Sequence, residues 1–180
     1  MEDKLRRFGI EEGTRLLLVS PGEGTIPLRE WPLENFIALI KMLIEDTRNY
    51  IIIVGTQEAS KKAQLLCGSV NNKRCLDLTH KTSVSEVLDL FNIADALIIN
   101  DCGLAHLASL VSIKKFILFG PESPQIYSPL GDNTWIIYSN LPCSPCLSAF
   151  NHRNSACKVN KCLKRITPEE VYEMIKKEAY

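Results

Sequence analysis

Four short apolar runs lack any polar alternation: RLLLV at 15–19, YIIIV at 50–54, ALII at 96–99 and KFILF at 115–119. A strand with one wet face alternates polar and apolar residues, so runs like these belong to strands buried on both faces. Weaker strand patterns cover 74–78 and 134–138. Stretches of helical period fall between the runs. Over 33–46 the residues Phe36, Leu39, Ile40, Leu43 and Ile44 share one face, and Pro32 stands where a first turn tolerates it. A second helix is expected over 58–67, with Gly68 as its stop. A third follows Ser83, whose partner Glu86 completes a capping-box pattern. A short helix is expected over 104–111, and a closing one from Thr167 or Pro168 to Lys177.

Strands that alternate with helices make a parallel sheet covered on both sides, and right-handed crossovers make it a doubly wound, Rossmann-like α/β sheet. A chain of 180 residues fits one such domain. Ligands of these sheets bind outside the carboxyl ends of the strands, so the loops after the first, second, fourth and fifth strands are expected to share one rim.

Composition narrows the function. The 21 Lys and Arg balance the 21 Asp and Glu, which argues against a general nucleic-acid binder. No apolar run reaches the ~18–20 residues of a membrane span, and the charged start, 1–12, is no signal-peptide core; a soluble, cytoplasmic protein is expected.

On the rim, the loop after the fourth strand reads Asn100-Asp101-Cys102-Gly103-Leu104-Ala105-His106. A glycine before a helix start permits close approach of a phosphate to backbone N–H groups, and Asp101 suits sugar hydroxyls. Asp101 is equally read as an N-cap, and His106 as a core histidine or a group aimed at a ligand. The loop 20–32 carries Gly22, Gly24 and Thr25 as a phosphate cradle or as plain turn residues, with Arg29 a fixed forked cation. It is neither a Walker loop nor a G-x-G-x-x-G fingerprint, which disfavours a dinucleotide oxidoreductase. Glu58 suits a ribose diol or favours a helix N-terminus.

The order S-P-G-E-G (20–24), R-E-W-P (29–32), V-G-T-Q-E (54–58), N-D-C-G-L-A-H-L-A (100–108), L-F-G-P-E-S-P (118–124) and P-L-G (129–131) resembles glycosyltransferase family nine, the ADP-heptose:lipopolysaccharide heptosyltransferases. The cysteine-rich end, C-S-P-C at 143–146 through C-L-K-R-I-T-P-E-E-V at 162–171, resembles many members too. The resemblance runs from about Phe8 to the C-terminus and covers only the C-terminal half of the family's two-domain GT-B architecture. It implies an interdomain linker remnant at 1–12 and a nucleotide-sugar-binding domain at 13–180. It further implies that Asp101 contacts the sugar, that Cys102 and Gly103 offer donors to the diphosphate with His106 behind them, that Arg29 neutralises diphosphate charge with Thr25 in the same loop, and that Glu58 reaches the ribose.

Cys102 stands where the family has Ser or Thr, and a thiol is the weaker donor. The catalytic base would lie in an N-terminal domain, so this chain is expected to bind donor without transferring sugar alone. The alternative is a stand-alone nucleotide-sugar-binding module. The implied partners are a nucleotide-sugar donor, a lipopolysaccharide core or other glycan acceptor, and the N-terminal domain, with contact at the inner face of the inner membrane. No cofactor is implied for transfer.

Cys143, Cys146, Cys157 and Cys162 approach a four-thiolate structural zinc pattern; an iron–sulfur cluster, free thiols or disulfides are the alternatives. They fall within 133–168, which has no acidic residue but holds His152, Arg153, Lys158, Lys161, Lys164 and Arg165. That stretch is read as a face toward an anionic lipid or phosphorylated acceptor, or as a solvated basic surface.

Overall fold

The computed structural model describes residues 10, 13–22 and 26–180. Six parallel strands form one sheet: β1 (Arg15–Ser20), β2 (Asn49–Ile53), β3 (Cys75–Asp77), β4 (Ala96–Asn100), β5 (Lys114–Phe119) and β6 (Thr134–Tyr138), in the order β3-β2-β1-β4-β5-β6. β1 pairs with β2 through Leu17 opposite Ile51, and with β4 through Leu17 opposite Ala96. The chain therefore builds outward from β1 in one direction, then crosses back and builds in the other. The switch point lies between β1 and β4, and it opens a crevice at their carboxyl ends.

The unbroken apolar runs are explained by two cores. Leu17, Val19, Ile51, Ile53, Ile98, Phe116 and Leu118 face α1 (Leu33–Leu43), α2 (Ser60–Val70) and α7 (Pro168–Ala179). Their neighbours Leu16, Leu18, Ile52, Leu97, Ile99, Ile117 and Phe119 face α3 (Val84–Ile93) and α4 (Gly103–Leu107) on the other side. Each fully buried Leu, Ile or Phe contributes ~1.5–3 kcal/mol over an exposed one. The α1 stripe of Phe36, Leu39, Ile40 and Leu43 is buried as its period requires.

Local signals mark several boundaries. Ser83 and Glu86 exchange both capping-box hydrogen bonds at the start of α3, and Thr167 and Glu170 do the same for α7. Three expectations are corrected. The helix after β2 begins with a 3-10 turn over Gln57–Ala59, and α2 continues through Gly68 to Val70. It stops at Asn71, which takes the left-handed conformation (φ 47°) and donates its N–H to the Cys67 carbonyl. Asparagine tolerates that conformation because its short amide bonds locally. The helix from 33 ends at Leu43 rather than 46. The expected 104–111 helix is α4 followed by a 3-10 turn over Ala108–Leu110. Apart from Ile10, which is buried, the expected linker 1–12 lies outside the described residues.

After β5 come α5 (Pro124–Tyr127) and, past β6, a cysteine-rich segment leading to α6 (Lys161–Lys164). Backbone N–H groups of Cys146 and Leu147 both donate to the Pro121 carbonyl, at 2.7 and 2.8 Å, which docks this segment onto the loop after β5. Gly120 permits the fit: a Cβ there would meet Leu163 Cγ at 2.6 Å and Cys162 Sγ at 3.2 Å.

Candidate functional site at the switch point

A cleft of about 290 Å³ opens at the carboxyl ends of β1 and β4, where the chain leaves the two strands. The loop after β1 lends it Gly22, Ile26, Arg29 and Glu30. The segment after β2 lends Thr56 and Glu58, and the end of β4 lends Asn100, Asp101, Cys102 and Gly103. Three of the four rim loops expected from the strand pattern thus line one cleft. The fourth, after β5, supports it from behind through Glu122.

Arg29 closes a single 3-10 turn, Pro27–Arg29, that Pro27 pre-sets. Its guanidinium lies 2.9 Å from Asp101 Oδ1 and 3.7 Å from Glu122 Oε1. Asp101 is 4 % exposed and Glu122 1 %. Burial pushes the Asp101 carboxyl above its ordinary value; Arg29 opposes this, the nearby Glu122 charge adds to it, and His106 opposes it. The Arg29–Asp101 contact is close but poorly aligned, and both carboxylate oxygens of Asp101 lack an aligned hydrogen bond among the described residues. Arg29 Nε and Asn100 Nδ2 are buried and unpartnered there as well. Asn100 is oriented by its other end, since Oδ1 accepts the Trp31 N–H at 2.9 Å. Unsatisfied buried polar groups are uncommon, and their concentration on one cleft makes it the candidate ligand site.

Two glycines shape the cavity differently. Gly22 has φ +103°, and a Cβ on it would meet Asn100 Nδ2 at 2.9 Å, so both conformation and space require glycine. A Cβ on Gly103, which lines the cleft, would meet nothing within 4 Å. In the segment after β2, Glu58 accepts the Thr56 hydroxyl, which with the Glu58 backbone N–H holds its carboxyl below the ordinary value.

Of the residues singled out in the sequence, Arg29, Glu58, Asp101, Cys102 and Gly103 meet on this cleft. Thr25 lies outside the described residues. His106 is exposed, so it is no core histidine; it helps to hold down the Asp101 pKa but does not line the cleft. Asp101 is no N-cap, because α4 starts after Cys102, which caps without a side-chain hydrogen bond. Asn100, Glu30 and Glu122 were not singled out. A polar Asn closing the buried run A-L-I-I was the available signal for the first; Glu122 gave none, since its partners come from distant segments.

The four clustered cysteines all line a second cavity of about 370 Å³, together with Leu28, Pro121 and Lys161. Among the described residues no three His, Cys, Asp or Glu side chains converge as a metal would require, and all four cysteines are free thiols. Four-thiolate zinc needs every sulfur ~2.3 Å from one point. The thiols instead stand apart around an open volume, with Cys143 exposed and Cys162 buried, and the zinc expectation is without support. Among the described residues no helix is long and apolar enough to cross a membrane.

A six-stranded, doubly wound parallel sheet with a polar cleft at its switch point defines a Rossmann-like domain. Residues 3–156 match glycosyltransferase family 9 (heptosyltransferase), and the chain belongs to that family. A lipooligosaccharide heptosyltransferase 2 of Campylobacter jejuni is 27 % identical over 176 residues, covering 93 % of this chain and 52 % of that protein. The structure of E. coli ADP-heptose lps heptosyltransferase II superposes with a TM-score of 0.81 at 22 % identity, covering 99 % of this chain and 50 % of that one. E. coli heptosyltransferase WaaC with ADP gives 0.71 at 19 % identity, over 93 % of this chain and 45 % of the other. The chain spans about half the length of these relatives.

Proposed function

We propose that the cleft is the donor site of a heptosyltransferase, binding ADP-heptose or a close nucleotide sugar for transfer to a lipopolysaccharide core acceptor at the inner face of the cytoplasmic membrane. In this reading the chain corresponds to the C-terminal, donor-binding half of the GT-B architecture. The observation that carries it is the cluster of buried polar groups at the switch point: Arg29 Nε and Asn100 Nδ2, which have no hydrogen-bond partner among the described residues, and the Asp101 carboxylate, which Arg29 holds as an ion pair without an aligned hydrogen bond. The guanidinium has five donors in a fork, so it can turn toward a diphosphate while one nitrogen stays on Asp101. Asp101, acceptor-only when ionised, suits sugar hydroxyls. Glu58, held by Thr56 in the cleft lining, suits the ribose diol. Cys102 offers the phosphates a weaker side-chain donor than a hydroxyl would, so its contribution comes through the backbone.

Inverting sugar transfer also needs a base at the acceptor hydroxyl. We assign that base to the N-terminal half of the architecture, and leaving-group stabilisation by Arg29 to this one. Calorimetric titration with ADP-heptose, ADP and NAD tests the reading. Binding of the two ADP ligands and not NAD is expected, with no heptosyl transfer by this chain alone. Tight NAD binding without nucleotide-sugar binding would sink it.

A further inference from the structure

Glu122 carries two arginines on one oxygen. Arg153 Nε lies 2.9 Å from Oε1, and Arg29 approaches the same atom at 3.7 Å. The carboxylate is 1 % exposed, whereas the Arg153 side chain is 44 % exposed. Arg153 arrives from the cysteine-rich segment, 31 residues from its partner. Its backbone N–H donates to the Ser148 carbonyl, and its guanidinium lies 5.9 Å from the Tyr127 ring centroid. The docking of Cys146 and Leu147 on Pro121 sets that segment beside Glu122.

A buried carboxylate demands a cation, because an unpaired charge in the interior costs several kcal/mol. Arg29 and Arg153 are the cations within ion-pair distance of Glu122 among the described residues, and Arg153 alone is hydrogen-bonded to it. Arg29 also faces the buried Asp101. One guanidinium between two carboxylates would have its charge consumed before any ligand arrived. We propose that Arg153 is a positioning residue of the nucleotide site: by neutralising Glu122 it leaves the charge of Arg29 available to an incoming diphosphate. This rests on the reading of the cleft as a donor site. Without Arg153, Glu122 draws Arg29 across the 3.7 Å gap and holds it away from the cleft. The cysteine-rich segment then has a role that needs no metal, which is to deliver this counter-charge.

The test is titration of the full chain with ADP. Arg153→Ala is expected to weaken ADP binding about 5- to 10-fold, less than the loss of a direct charge-assisted contact because the effect passes through Glu122, and to leave adenosine binding unchanged. Arg153→Lys keeps the charge and most of the affinity, whereas Arg153→Gln behaves as Ala; this pair decides the matter if the alanine variant fails to fold. Glu122→Gln alone binds ADP more tightly than wild type. The double variant Arg153→Ala with Glu122→Gln regains the lost affinity, because the charge that captured Arg29 is gone. Wild-type affinity in Arg153→Ala overturns the inference. So does a double variant as weak as the single one, which would mean that Arg153 touches the phosphate directly. A wild-type chain that binds no ADP removes the donor-site reading itself.

Discussion

The Arg29 guanidinium lies 2.9 Å from Asp101 Oδ1, and this contact joins the loop after β1 to the loop after β4 across the switch point. It also sets the charge state of the cleft before any ligand enters. An anion must compete for Arg29, and a sugar hydroxyl must compete for Asp101.

Arg29→Ala should therefore weaken ADP binding about 10- to 100-fold, as expected for loss of a charged hydrogen-bonding group worth ~1.5–3 kcal/mol. Adenosine should bind unchanged, and calorimetry with the two ligands separates the phosphate contribution from the base. Equal losses for both would place Arg29 away from the phosphates.

Asp101→Asn should raise Tm at pH 7.5 by about 1–3 °C, while weakening nucleotide-sugar binding. Burial raises the folded pKa of Asp101 above its unfolded value. The folded state therefore binds the extra proton, and the associated stability is present at low pH and lost as pH rises through the folded pKa. Asparagine is neutral throughout and avoids that loss. Melting curves of the two proteins should converge as pH falls toward 4. A gap that widens on acidification would contradict this assignment.

The glycines at 22 and 103 should separate fold from function. Gly22→Ala places a side chain at φ +103° and against Asn100 Nδ2, and should cost about 1–3 kcal/mol in denaturant melts. Gly103→Ala has open space around its Cβ, so stability should stay within about 0.5 kcal/mol of wild type. The same methyl intrudes on the cleft and should weaken ADP binding.

The thiols should differ in reactivity. Backbone N–H groups of Val159, Asn160 and Lys161 lower the Cys157 pKa, and the Cys75 thiol lowers that of Cys67, which it meets at 3.6 Å. Cys75 and Cys162 are buried, with their thiols pushed upward, Cys75 chiefly by its contact with Cys67 and Cys162 by desolvation. Because the thiolate is the nucleophile, iodoacetamide at pH 7.5 should label Cys157 and Cys67 well before Cys162 and Cys75. Peptide mass spectrometry over a time course reads the order, and early labelling of Cys75 would refute it.

Local chemistry alone determined a great deal here. Unbroken apolar runs can be buried only on both faces, so RLLLV and KFILF dictated a parallel sheet with two cores. Ser83 with Glu86, and Thr167 with Glu170, fixed helix starts because a cap needs only residues three apart. The strand order then placed the rim loops, and with them Arg29, Glu58, Asp101, Cys102 and Gly103. What needed the tertiary structure were partnerships between distant segments. Whether Asp101 capped a helix or met a cation depended on Arg29, 72 positions earlier in the sequence. Whether four cysteines closed on a point depended on how their segment settled against Pro121 and Gly120. Glu122 looked like any loop glutamate until burial stripped its water and two arginines replaced it. Sequence pattern reports what a residue's near neighbours make it do; desolvation and charge pairing are set by residues that only the fold brings close.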